Sequence, residues 1–106
     1  MKQRIAIVAG GDSGEYEVSL KSGAVVKQYL DTSRFIPYLI IMKGRDWQHV
    51  DDNGHNYQVN KEDFSIDTAS GKIQFDAVFI AIHGSPGEDG KLQAFFELLG
   101  IPYTSC

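Results

Sequence analysis

Two short apolar runs, RIAIVA at residues 4–9 and DAVFIAI at residues 76–82, each end in a glycine-rich loop that leads into a helical pattern. That repeated order of strand, loop and helix constrains the fold more than any other feature of the chain. A helix placed between two strands carries the chain back over the sheet, so the strands it joins run parallel. Such strands are covered on both faces and read as continuous apolar runs rather than alternating ones.

The segment after residue 9 opens on Gly10-Gly11 and then reads as a helix. Val18, Ser22, Val25 and Tyr29 follow the spacing i, i+4, i+7, i+11 with Ala24 beside them, and Lys21, Lys27 and Gln28 lie off that face. The expected core face is therefore the Val18 series. RFIPYLIIM, residues 34–42, is a second strand, with Pro37 at an edge or near its start. WQHVDDNGHNYQV, residues 47–59, alternates around Asn53-Gly54 and predicts a β-hairpin insert. Leu92, Phe95, Phe96 and Leu99 mark a second helix, stopped by Gly100 and Pro102, and Tyr103 begins a fourth strand. The whole is an α/β domain, Rossmann-like, with a mainly parallel sheet, helices on both faces and right-handed crossovers.

The chain has 106 residues, one domain on ordinary size expectations. Its net charge is −4 and no run of Lys or Arg stands out, which argues against nucleic acid or an anionic membrane as a partner. No apolar run approaches the roughly 18 residues of a membrane span, and the five-residue run near the amino terminus is too short for a signal-peptide core. The single cysteine, Cys106, excludes an internal disulfide and a cysteine-based zinc site. A cytoplasmic protein is the expectation.

In parallel sheets, ligands sit beyond the carboxyl ends of the strands. Two loops occupy that edge: GGDSGEYE at residues 10–17 and the glycine-spaced stretch within AIHGSPGEDGKLQ at residues 81–93. Gly10 and His83 should lie there on adjacent strands, with two helix amino termini that favour an anion. Neither loop is a nucleotide fingerprint. Asp12 and Ser13 stand where a dinucleotide motif would need glycine. Leu92 follows Gly90-Lys91 where a P-loop needs Ser or Thr.

Glu15 has two readings. It completes an Asp12-x-x-Glu15 capping pattern, and it could equally meet a ligand. Glu17 reads as a surface acid, and Glu88 and Asp89 read as structural, with Asp89 able to cap the last helix. His83, just past a buried strand and beside glycine, reads as a ligand residue; a satisfied loop histidine is the competing reading. His49 and His55 are expected to face solvent in the hairpin, and the three histidines have no metal spacing. One carboxylate, one histidine and two helix ends on one edge suit a zwitterion such as an amino acid. No nucleophile–base pair accompanies them.

RIAIVAGGDSGEYEVSLKSGAVV, residues 4–26, resembles the amino-terminal signature of D-alanine–D-alanine ligases, and DAVFIAIHGSPGEDGKLQAFFELLGIPYTS, residues 76–105, resembles their second signature. The resemblance implies an ATP-dependent carbon–nitrogen ligase of peptidoglycan synthesis, with ATP and Mg as cofactors. One D-alanine is activated as an acylphosphate and attacked by the amine of a second. It also implies that residues 1–106 are the amino-terminal substrate-binding domain and that the two ATP-grasp domains lie outside them. The abrupt end at Cys106 agrees with that, and the fragment alone is expected to bind no cofactor or metal and to be inactive. By the E-x-E-V-S motif, Glu15 meets the ammonium of the first D-alanine and joins the catalytic hydrogen-bond network, and Val18 lines the pocket. By the H-G motif, His83 lies at the substrate carboxylate. Tyr16 stands where the family often has His or Arg, and its side chain need not face the pocket. Ser85-Pro86 and Ala94-Phe95 fall at variable positions or at positions that often carry glycine.

The family commonly forms homodimers, although no apolar patch in the sequence supplies one. Residues choosing D-alanine, D-serine or D-lactate as second substrate would lie in the ATP-grasp part. The competing reading from another class is a stand-alone flavodoxin-like module that binds a small ligand without catalysis.

Overall fold

The computed structural model describes residues 2–11, 14, 16–82 and 90–105. They form, in order, β1 (Gln3–Gly10), α1 (Tyr16–Tyr29), β2 (Phe35–Lys43), β3 (Asp46–Val50), β4 (Asn56–Asn60), β5 (Ser65–Thr68), β6 (Gly71–Ile73), β7 (Ala77–Ile80), α2 (Lys91–Leu99) and β8 (Tyr103–Ser105). The strands make one sheet in the order β6-β5-β4-β3-β2-β1-β7-β8.

Half of that sheet is the expected α/β structure. β2, β1, β7 and β8 run parallel. β1 is central, and its residues from Ile5 onward are all buried, which is why it carries a continuous apolar run. At its amino end, the Arg4 N–H donates to the Asp76 carboxylate at 2.7 Å and the Asp76 N–H donates to the Arg4 carbonyl at 2.8 Å. Pro37 falls where β2 has β1 on one side but, before Ile40, no β3 partner on the other, so its missing N–H breaks no rung there.

The other half corrects the mainly parallel expectation. β2 through β6 form an antiparallel meander. The predicted hairpin is β3 and β4, whose five-residue turn is held by the Asp51 carboxylate accepting from the N–H groups of Asn53 and His55 at 2.9 Å. Gly54 takes a φ of 82° in that turn. β5 and β6 were not anticipated from the sequence. β5 brings Ile66, and β6 the partly buried Ile73, to the core that lies under α2, where Ile66 packs with Val59, Phe64 and Phe75 and with Ala6, Val8, Ile40, Leu92 and Phe96. Phe64 sits at the middle of this cluster, 4.9 Å from the Phe96 ring, 5.6 Å from Phe75 and 6.1 Å from Phe95.

α2 presents the predicted face, with Leu92 and Phe96 buried and Phe95 and Leu99 partly buried. Its end is a Schellman turn. Gly100 has φ 73°, its N–H donates to the Glu97 carbonyl, and the Ile101 N–H donates to the Phe96 carbonyl. Its N-cap is Gly90, with no side-chain cap; Asp89, Glu88, Gly84, Gly87 and Ser85-Pro86 lie outside the described residues.

α1 reverses its expected orientation. Val18, Val25 and Tyr29 are 55%, 52% and 79% exposed, and the buried positions are Ser19 and Gly23. The cause is the closeness of helix and sheet. A Cβ on Gly23 would stand 2.8 Å from the Ala9 Cβ and 3.3 Å from Leu39 Cδ1. Only small residues at i and i+4 let the helix backbone approach β1 and β2 that nearly. α1 therefore lies over Ile7 and Ala9, while Ala6 and Val8, on the opposite face of β1, join the core with α2.

Candidate functional site

The sheet order reverses at one point. From β1 the chain passes through α1 to β2 on one side. β7 lies on the other side of β1 and leads through α2 to β8, farther out. The helices that follow β1 and β7 lie on opposite faces of the sheet, and the crevice at the carboxyl edge of such a switch point is the place where a doubly wound sheet holds its ligand.

The carboxyl end of this strand pair is not closed by backbone. The parallel register ends at Val8 with Ile80, and the Ala81 N–H donates to the Val8 carbonyl at 2.8 Å. In a parallel ladder the next bond would run from the Gly10 N–H to the Ala81 carbonyl. The Ser19 hydroxyl takes that place. Its oxygen accepts from the Gly10 N–H at 2.9 Å and its proton goes to the Ala81 carbonyl at 2.7 Å. Ser19 is fully buried, so both backbone groups are satisfied without water. A hydroxyl is suited to the position because it is at once donor and acceptor.

Gly10 and Gly11 turn the chain away from the sheet with φ of 100° and 102°. A Cβ on Gly10 would lie 2.3 Å from the Met42 carbonyl oxygen, which also accepts from the Gly11 N–H at 2.7 Å. Tyr16 closes over Gly10 from the other side, its Cε2 2.9 Å from where that Cβ would stand. The ring points toward β2 and β3, with Lys43 Nζ 5.9 Å from its centre, and lines a cavity of about 170 Å³ with Ile41, Lys43, Asp46, Gln48 and Val50. Tyr16 is thus turned away from β7, as the sequence allowed.

Of the residues expected to make the site, Val18 is the third residue of α1, half-exposed and directly before Ser19. Glu15, with Asp12, and His83 lie outside the described residues, as does Cys106. By chain position Glu15 immediately precedes α1, and His83 immediately follows the buried Ile82. The stems of both loops are therefore brought together, on adjacent strands. Ser19 was missed as a contributor. Its signal was the Ser19 and Gly23 pair, two small residues one turn apart inside a helix.

His49 departs from its expected exposure. It is 8% exposed, with its ring 5.3 Å from Tyr38 and stacked 6.0 Å from Tyr57, and its Nδ1 is 2.9 Å from the Leu39 carbonyl oxygen. The cross-strand pairing of β2, β3 and β4 encloses it. His55 is exposed, 3.5 Å from the Asp51 carboxylate.

The carboxylates that the fold holds below their ordinary range lie away from the crevice. Asp63 is lowered by the Ser65 hydroxyl and then by Lys72, Asp46 by the side-chain amides of Gln48 and Gln58, Asp51 chiefly by the His55 N–H, and Asp31 by the Ser33 hydroxyl and N–H. Among the described residues no group of three His, Cys, Asp or Glu could hold a metal ion.

A family model described as "D-ala D-ala ligase N-terminus" matches residues 4–106. The chain is 48% identical over 104 residues to a D-alanine–D-alanine ligase of Flavobacterium johnsoniae, covering 98% of the chain and 32% of that protein. Among solved structures it is similar to D-alanyl-alanine synthetase A from Vibrio cholerae, with TM-score 0.81, 33% identity and coverage of 97% and 31%. It is similar also to the VanG D-Ala:D-Ser ligase of Enterococcus faecalis, with TM-score 0.81, 32% identity and coverage of 97% and 35%. The chain spans about a third of the length of the curated relatives it matches.

Proposed function

Because the chain belongs to the family of D-alanine–D-alanine ligase amino-terminal domains, we propose that it is the amino-terminal part of an ATP-dependent D-alanine–D-alanine ligase and supplies one wall of the first D-alanine site. The observation that carries this reading is the match of almost the whole chain to that family, together with a topological switch point between β1 and β7. Glu15 takes the substrate ammonium, His83 its carboxylate, and Val18 covers the apolar side. A carboxylate opposite an ammonium forms a charge-assisted hydrogen bond, and that bond orients the substrate for activation at its other end. The reaction serves peptidoglycan synthesis in the cytoplasm.

Among the described residues no acid cluster offers a metal site, and the loop sequences carry no P-loop. Binding of ATP and magnesium falls to the ATP-grasp part, and the share of this chain is to hold and orient D-alanine.

The test is Glu15→Gln in the full-length ligase, assayed by steady-state kinetics. Loss of a charge-assisted bond costs about 1.5–3 kcal/mol, so the apparent affinity for the first D-alanine falls roughly tenfold or more. Folding changes little, because glutamine also suits a helix start. Unchanged affinity and rate with a lowered melting temperature would instead make Glu15 a helix cap.

A further inference from the structure

Resting on the reading of this crevice as a D-alanine site, we infer that Ser19 is a positioning residue for the first substrate. A direct bond between the Gly10 N–H and the Ala81 carbonyl would draw the ends of β1 and β7 to ordinary ladder spacing. The Ser19 oxygen instead lies between them, 2.9 Å from one group and 2.7 Å from the other. The two strand ends are held apart by the width of one hydroxyl, and neither backbone group is left unpaired. Gly10 stands five residues before Glu15 in the chain and Ala81 two before His83, so this one atom sets the separation of the stems that carry both substrate partners.

The hydroxyl cannot drift. α1 is pinned against the sheet by Gly23, one turn along the same face, where even a methyl group would strike Ala9. The depth of the helix on the sheet is thus converted into the width of the crevice. Ser19 acts on the substrate only through the two loop stems.

Ser19→Ala in the full-length ligase tests this. Alanine keeps the Cβ and removes both hydrogen bonds, so the stems either close to a direct rung or lose their fixed spacing. The KM for the first D-alanine rises roughly ten- to a hundredfold, as misplacement by about 1 Å can cause, while the KM for the second substrate stays within about twofold. Ser19→Thr, which retains the hydroxyl, restores the first KM toward that of the parent. Ser19→Ala with a lowered melting temperature but an unchanged first KM overturns the proposal and leaves Ser19 a structural residue. If Ser19→Ala does not fold, Ser19→Cys takes its place, its weaker and longer thiol bonds raising the same KM; an unchanged KM there overturns the proposal equally. Glu15→Gln measured alongside separates the two levels. A raised KM in Glu15→Gln with none in Ser19→Ala refutes the role of Ser19 alone, whereas no effect in Glu15→Gln refutes the site itself.

Discussion

Gly10→Ala is expected to be among the most damaging single-methyl changes in this chain, and its cost can be divided into parts. The backbone φ of 100° is one that alanine occupies at a cost of about 1–3 kcal/mol. The new Cβ would also stand 2.3 Å from the Met42 carbonyl oxygen and 2.9 Å from Tyr16 Cε2. Tyr16 can swing aside, but Met42 is 1% exposed within β2 and paired on both sides, so the backbone must move. That movement strains the Gly11 to Met42 hydrogen bond, with a net value of about 0.5–1.5 kcal/mol, and overpacks the core by about 1–3 kcal/mol. The sum is about 2.5–7.5 kcal/mol, a large share of the roughly 5–15 kcal/mol that holds a domain of this size. By thermal unfolding of the 106-residue chain, followed by circular dichroism, the midpoint should fall by about 10 °C or more. Gly54→Ala is the control, because its φ is 82° and no atom lies within 4 Å of the added Cβ. It should lose only the backbone part, about 1–2 kcal/mol. Equal losses in the two variants would refute the claim that the approach of Met42 matters.

Phe64 is buried with φ 54°, so its replacement should invert a usual order. Phe64→Ala costs about 3–5 kcal/mol of packing, and Phe64→Gly costs about 1 kcal/mol less than that because glycine accepts the left-handed backbone; a urea midpoint lower for Gly than for Ala contradicts this. Stability should also fall in acid. Asp31, Asp46, Asp51 and Asp63 have folded pKa values below their unfolded ones, so their contribution is fully present above about pH 4 and is lost as pH drops through the folded values. Urea midpoints held constant from about pH 5 to about pH 3 would count against it.

β1, β7 and α2 were legible because their burial follows side-chain size. Ile5, Ile7 and Val8, or Leu92 and Phe96, are apolar and lie inside. α1 was misread for the opposite reason. Its inner face is made of Ser19 and Gly23, where closeness of backbone replaces bulk, and a pattern of large apolar residues then marks the wrong side. β5 and β6 are too short to show a period, and they are held by tertiary packing of Phe64 and Ile66 and by the pairing of Ile66 with Ile73. The burial of His49 depends on Tyr38 and Tyr57, which only strand pairing brings to it. Glu15 and His83 were singled out by their place in loops at the carboxyl edge and by motif resemblance, and both lie outside the described residues. Ser19 stood in that same motif, but its part depends on where a ladder stops, which no linear spacing reveals.

The parentage of the crevice has a kinetic consequence. The meander from β2 to β6 joins neighbours in the chain and closes only short turns. The pairing of β1 with β7 joins Arg4 to Asp76 across 72 residues, and Ser19 reaches Ala81 across 62. Loops of that length close late, after the contacts that cost less chain entropy. We expect the antiparallel half to gather first and the two glycine-rich stems to meet near the end of folding. On the proposed reading, D-alanine has nothing to bind until folding is almost complete, so it would hold the finished domain without hastening its formation. Added substrate should slow unfolding and leave the refolding rate unchanged.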